Sequence, residues 1–255
     1  MRPVAIICGS GDLQLPGVSG KRIGGIDTPY GPASAPLFEG KLERTDAPGE
    51  GRRFLSLERH GLDHEFAPHA VNYKANLWLL NEQGPAMVIA VHTVGAIAAN
   101  VKTGDLILPD QIVDYTWGRA HTYVDTGSVQ HVEFSFPYDA DLRLGLLAAA
   151  RAADLDLIDG GVYGCTQGPR LETAGEIDRM DRDGCSLVGM TVMPEAGLAR
   201  ELGLRYASVC LAVNPAAGRS DGQPINLDDL RAVSAAGMQR VGQLLRQFLE
   251  SFKAF

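Results

Sequence analysis

Five side chains in the second half of the chain, Thr166, Glu172, Met190, Thr191 and Asn214, each stand just beyond a short apolar run. Singly, each reads as turn or cap chemistry; together they would bring a hydroxyl, a carboxylate, a thioether and an amide to one crevice. Two earlier stretches suit an anion. Arg59-His60-Gly61 closes the apolar run 54–57, and a guanidinium beside an imidazole offers bidentate bonds and a second donor to an oxyanion. Gly9-Ser10-Gly11 closes the run 4–8, and a turn so poor in side chains lets backbone approach a phosphate closely. A dinucleotide-binding G-x-G-x-x-G is the rival reading of that turn, and it fails at Gln14, where the third glycine should stand.

These residues need elements to hold them. Residues 161–165 read as a buried strand, followed by a turn at Gln167-Gly168-Pro169 and a helix over 171–183 that stops at Gly184. A strand over 186–190, a helix beginning after Thr191 and ending at Gly203, and a strand over 206–213 that breaks at Asn214-Pro215 complete the unit. Such alternation implies an α/β fold with mostly parallel strands, helices on both faces, and ligands beyond the carboxyl ends of the strands. Upstream, strands are expected over 4–8, 37–42, 54–57 and 86–91, with a helix over 71–83. The central strand 86–91 is expected to end at His92-Thr93-Val94-Gly95. A further strand is expected near 104–109. Residues 118–139 carry aromatic and histidine side chains without period and read as a long loop. A helix over 142–153 and a final helix over 227–252, capped by Asn226, follow. His60, His64 and His69 could suggest a metal site, but Gly61 and Pro68 interrupt any common helix and no accompanying ligand set is evident, so no metal is expected.

Composition narrows the function classes. The 255 residues show no linker, repeat or low-complexity boundary, which favours one domain over 1–255, and 45% hydrophobic residues can bury a sizeable core. A net charge of −8 without a basic stripe argues against nucleic acid as partner. No apolar run reaches membrane-spanning length and no signal-like segment opens the chain, so no membrane partner is expected. The four dispersed cysteines lack C-x-x-C spacing and read as buried thiols in a reducing cytoplasm.

The strings GPRLET at 168–173 and GMTVMPEAGLARELGL at 189–204, with the strand leading to Asn214, resemble the trimeric purine nucleoside phosphorylase and methylthioadenosine phosphorylase family. The similarity runs from Gly9 to the last helix and lies nearest the family's methylthioinosine branch. It implies a single-domain three-layer α/β/α nucleoside phosphorylase fold with a central mixed sheet, a homotrimer, and a nucleoside and phosphate as small-molecule partners. No cofactor is implied beyond inorganic phosphate as co-substrate. By resemblance, Ser10, Arg59, His60, Thr191 and the backbone at Thr93 hold phosphate, Thr93 and Val94 face phosphate and ribose, and Met190 lies against the ribose. Glu172 and Asn214 meet the base, Leu171 takes the place where the family usually stacks a phenylalanine, and Leu227 and Leu230 face the 5′ group. His131 would reach a neighbouring subunit's site. His92 departs from the small or amide residue expected there, and whether it reaches ligand or packs behind the site stays open.

The residue chemistry refines the implied substrate. An amide that donates to N7 or O6, beside a carboxylate that accepts from N1–H, favours a 6-oxopurine, whereas the 6-aminopurine branch has an aspartate at the position of Asn214. A leucine cannot bond a 5′-hydroxyl but buries a methylthio group, although Leu227 and Leu230 read equally well as core leucines of the last helix. A 5′-methylthio-6-oxopurine nucleoside leads. An inosine or guanosine phosphorylase, a methylthioadenosine phosphorylase, a water-using nucleosidase and a non-catalytic binding module remain as alternatives.

Overall fold

The computed structural model describes residues 2–9, 15, 17–43, 51–124, 127, 129–220, 223 and 225–251, apart from the side chain of Leu227. Thirteen strands and five helices alternate along them. The N-terminal strands are β1 (Val4–Cys8), β2 (Val18–Ile23), the short pair β3 (Asp27–Thr28) and β4 (Gly31–Pro32), β5 (Leu37–Leu42) and β6 (Arg52–Glu58). Helix α1 (Tyr73–Glu82) precedes β7 (Met87–Ala96), β8 (Leu106–Leu108) and β9 (Gln111–Asp114). Then come α2 (Ala140–Ala152), β10 (Leu157–Asp159), β11 (Val162–Cys165), α3 (Ala174–Arg182), β12 (Leu187–Gly189), α4 (Val192–Glu201), β13 (Tyr206–Pro215) and α5 (Leu227–Ser251).

The large sheet runs β10-β8-β13-β7-β1-β6-β5-β2, and β12 joins β7 to a branch through β11 to β9. The pairs β13/β7, β7/β1 and β1/β6 at its centre are parallel, whereas β8/β13, β12/β7, β6/β5 and β5/β2 are antiparallel. This is the mixed central sheet expected. Alternation along the buried strands feeds two cores. Ala5, Ile7, Val88, Ala90, Cys210 and Ala212 enter one, with Leu77 and Leu80 of α1 and Leu198 of α4. Val4, Ile6, Ile89, Val209 and Leu211 enter the other, with Leu146 of α2 and Leu244 of α5. The sheet is therefore sandwiched between α1 and α4 on one face and α2 and α5 on the other, the α/β/α arrangement read from the sequence.

Some boundaries differ from expectation in ways that matter for the site. The central strand does not end at Val91: β7 continues through His92, Thr93, Val94 and Gly95 to Ala96, because β13 and β12 pair with it there. Thr93 and Val94 suit a strand themselves, and long-range pairing carries it on through Gly95 and Ala96, whose own strand preference is weak. Asn214 and Pro215 likewise belong to β13, after a register shift between Ala212 and Asn214. Helix α3 begins at Ala174 and not at Leu171, so Leu171 and Glu172 lie in the loop before it. Thr173 sets that start through a capping box with Glu176. Strand β2 was not expected from the sequence. Among the described residues no helix or strand interrupts the stretch between Asp114 and Ala140, as expected of the long loop.

Candidate active site

The carboxyl end of β6 delivers Arg59 and His60, and β7 delivers His92, Thr93 and Val94, to a cavity of about 380 Å³. The loop after β12 brings Met190 and Thr191 to it, and β13 brings Asn214. The loop before α3 adds Leu171 and Glu172, and α5 contributes Leu230. Residues expected from the two halves of the chain thus share one concavity. Ser10 and the side chain of Leu227 lie outside the described residues. His131 is exposed and does not line the cavity of its own chain.

Arg59 is fully buried. Its Nε donates to Glu195 Oε2 at 2.6 Å, its Nη2 to Glu195 Oε1 at 2.9 Å, and its Nη1 to the Val91 carbonyl at 3.1 Å. Burial disfavours the guanidinium charge, the Glu195 carboxylate more than offsets that, and the arginine pKa is raised. Gly9 is what leaves room for it, since a Cβ there would stand 2.7 Å from Arg59 Nη1 and 2.9 Å from the Val91 oxygen. A fixed, permanently charged guanidinium at the cavity wall is suited to an anion.

His60 differs from the donor expected of it. Its Nδ1 lies 2.8 Å from the Phe66 carbonyl, which can only accept, so the ring proton is held there and Nε2 carries the lone pair. Burial, and then the charge of Arg59, push its pKa down to about 4. The neutral ring therefore accepts a hydrogen bond from a ligand hydroxyl or protonated anion, and donates through Nε2 only once protonated. The His64 ring lies 4.6 Å from it. Among the described residues no three of His, Cys, Asp and Glu are grouped to hold a metal ion.

At the other functional pair, Thr166 Oγ1 donates to Glu172 Oε1 at 2.5 Å, leaving the second carboxylate oxygen uncommitted by that bond. Asn214 Nδ2 donates to the Pro215 carbonyl at 2.7 Å, which fixes the amide plane and leaves one N–H and the Oδ1 lone pairs. Thr166 itself faces a second, 490 Å³ concavity that also touches Glu172 and includes Trp117 and Arg179. It serves the first cavity by holding Glu172. Leu171, 41% exposed, lines the cavity, as the resemblance implied for it.

Two residues missed in the sequence organise these groups. Glu195 is 1% exposed and pairs with Arg59 across 136 positions; a lone acid in the apolar run 192–199 was the signal for it. Arg119, buried within the long loop, donates to the carbonyls of Met190 at 2.9 Å and Gln167 at 2.8 Å. It ties together the two loops that carry Glu172 and Thr191. No periodicity marked Arg119 for burial.

A family model described as the phosphorylase superfamily matches residues 3–250. The chain belongs to this superfamily. A probable S-methyl-5′-thioinosine phosphorylase of Pseudomonas syringae pv. tomato is 44% identical to this phosphorylase over 253 residues, covering 98% of this chain and 100% of the relative. A 6-oxopurine nucleoside phosphorylase of Pyrococcus furiosus is 40% identical over 227 residues, covering 86% of this chain and 82% of the relative. Among solved structures, a methylthioadenosine phosphorylase from an antarctic soil metagenomic library superposes with a TM-score of 0.88 at 29% identity, covering 97% of this chain and 85% of that one. The Schistosoma mansoni methylthioadenosine phosphorylase in complex with adenine gives 0.86 at 26% identity, covering 98% and 91%. The fold and family expected from the motifs are those found. The four cysteines of this phosphorylase are free and buried, as expected of dispersed thiols, and among the described residues no helix is long and apolar enough to cross a membrane.

Proposed function

We propose that this phosphorylase cleaves S-methyl-5′-thioinosine with inorganic phosphate, releasing hypoxanthine and 5-methylthioribose 1-phosphate. The observation that carries the reading is the sharing of one cavity by an anion set, Arg59, His60 and Thr191, and a base set, Glu172 and Asn214. A phosphate oxygen forms the new bond to C1′ as the C1′–N9 bond breaks, and the electron pair leaves with the purine. Arg59 and Thr191 hold the nucleophile, assisted by Ser10 and the backbone at Thr93, which is positioning and electrostatic preorganisation. The free Asn214 N–H donates to the base as charge builds on it, and the Glu172 carboxylate accepts from N1–H. Met190 and Val94 give the ribose an apolar bed. Phosphate is the only co-substrate in this scheme, and no metal or other cofactor takes part.

The 5′ group is assigned to the apolar part of the cavity at Leu230, with Leu227 included on the resemblance alone, and the 44% identical relative named for methylthioinosine supports the assignment. The 6-oxopurine relative favours inosine as the second reading. The working form is proposed to be a cytoplasmic homotrimer in which His131 closes a neighbour's site; Trp117 at 71% exposure and Phe136 at 74% are apolar surface that such assembly would cover. Phosphate-dependent base release from methylthioinosine, methylthioadenosine, inosine and adenosine, measured side by side, tests the reading. Preference for methylthioinosine is expected. Preference for inosine would discard the apolar 5′ pocket, preference for methylthioadenosine would discard the base assignment, and turnover without phosphate would discard phosphorolysis.

A further inference from the structure

Behind the cavity wall, Arg59 and Thr191 are the two ends of one buried chain of polar groups, Arg59–Glu195–Tyr206–Ser208–His92–Thr191. The side chains of its four inner members are all 2% exposed or less. We infer that His92 is a positioning residue that donates its Nδ1 proton to Thr191 Oγ1 and thereby aims the Thr191 hydroxyl proton at the bound oxyanion. The inference deepens the proposed function and rests on that reading for the identity of the anion.

The inferred directions rest on a proton inventory. Both Glu195 oxygens are acceptors, one from Arg59 Nε and the other from Arg59 Nη2 and the Tyr206 hydroxyl at 2.8 Å. The single Tyr206 proton is thereby committed. The Ser208 hydroxyl has His92 Nε2 at 3.2 Å and the Tyr206 oxygen at 3.5 Å; the imidazole nitrogen is the nearer and more basic acceptor, so the inferred network gives it the Ser208 proton in preference to the Tyr206 oxygen. The Tyr206 oxygen also lies 3.4 Å from Nε2 but has no proton left to give it. A neutral imidazole that accepts at Nε2 carries its proton on Nδ1, and His92 Nδ1 stands 2.9 Å from Thr191 Oγ1. Burial, then the charge of Arg59, keep the ring neutral by holding its pKa well below the usual value. Tyr163 packs edge-on at 5.6 Å between ring centroids and fixes the ring plane.

The consequence falls on Thr191. As the residue preceding α4 it would ordinarily turn its oxygen back onto the helix amides, yet it makes no side-chain cap bond. Its oxygen accepts from His92 instead, and its own proton remains for a ligand in the cavity it lines. The opposite tautomer would draw that proton onto the ring and present a lone pair to the anion, which is repulsive.

Nitrogen-15 NMR of the histidine rings tests the tautomer without turnover: His92 is expected to show its pyrrole-type nitrogen at Nδ1, and a proton on Nε2 overturns the inference. Ser208→Ala, which removes the donor to Nε2, is expected to move the ring proton to Nε2, and an unmoved spectrum counts against the chain. In steady-state kinetics His92→Leu is expected to raise the phosphate KM about tenfold or more and to leave the nucleoside KM within about twofold. His92→Asn, whose amide N–H takes the place of Nδ1–H, is expected to recover most of that loss, and equal losses in the two variants overturn the role. In a Thr191→Val background His92→Leu is expected to add nothing, whereas additive losses would show that His92 acts elsewhere. Failure of the phosphorolysis reading is separately visible, as wild-type turnover that does not depend on phosphate.

Discussion

Arg59 and Glu195 meet along two edges, Nε to Oε2 at 2.6 Å and Nη2 to Oε1 at 2.9 Å, with both side chains at 1% exposure or less. Desolvating two charges is unfavourable, and good geometry with additional bonds is what offsets it. Tyr206 supplies one such bond to Glu195 and the Val91 carbonyl accepts another from Arg59. Glu195→Ala would leave the guanidinium buried and unpaired, a loss of about 3–5 kcal/mol in stability. Urea unfolding should register that loss, and phosphate titration should register weaker binding in Glu195→Gln, which keeps the shape. Wild-type stability in the alanine variant would contradict the pairing.

Glu172 depends on Thr166. With the hydroxyl removed in Thr166→Val, the carboxylate is free to turn toward the second concavity, where Arg170 and Arg179 stand. We expect kcat/KM for the nucleoside to fall about tenfold, equivalent to about 1.4 kcal/mol, with the phosphate KM unchanged. A fall in phosphate affinity instead would mean that Thr166 acts at the anion.

Asn214 is held by one N–H on the Pro215 carbonyl and can offer the other to the base. Asn214→Asp replaces a donor by an acceptor and should shift preference toward 6-aminopurine nucleosides, the mismatch on a 6-oxopurine amounting to about 1–3 kcal/mol. Competition between methylthioinosine and methylthioadenosine measures the shift directly. Unchanged preference in the variant would remove Asn214 from base recognition.

Folding keeps His60 and His92 unprotonated. Burial, then Arg59, lowers the His60 pKa from 6.5 to about 4, and that of His92 falls well below 6.5 for the same causes. Below pH 6.5 the unfolded chain therefore binds protons that the native chain does not. Their contribution to stability is complete above that pH and is lost progressively on acidification, for His60 through about pH 4. His60 alone contributes on the order of 3 kcal/mol. Urea midpoints measured from neutral pH downward should fall across this window, and a flat profile would show that the rings take up protons as readily in the native state as in the unfolded chain.

Much of the site could be read from the chain because its residues sit at strand ends, where local sequence marks them. Arg59-His60 after β6, Thr191 after β12 and Asn214 near the end of β13 are such cases. What could not be read depends on partners far away in sequence. Glu195 has no local reason to be an anchor for Arg59, and the extension of β7 through His92 and Thr93 exists only because β12 and β13 pair with it. Glu172 falls on the same helical period as Glu176 and Met180, which extends the apparent helix back to Leu171, although α3 starts at Ala174. The box formed by Thr173 and Glu176 was the better local signal. His60 lies beside Arg59 in the cavity, but its proton is directed by the Phe66 carbonyl, which only the folded loop brings near.

The shifted register between Ala212 and Asn214 acts as a joint in β13. On one side of it, Tyr206 and Ser208 are locked against Glu195 and His92; on the other, Asn214 is aimed by Pro215. A sequence change downstream of the joint can re-aim the amide without disturbing the strand segment that holds Glu195 and His92. On the proposed reading, the choice of purine can drift in evolution without loosening the grip on the nucleophile.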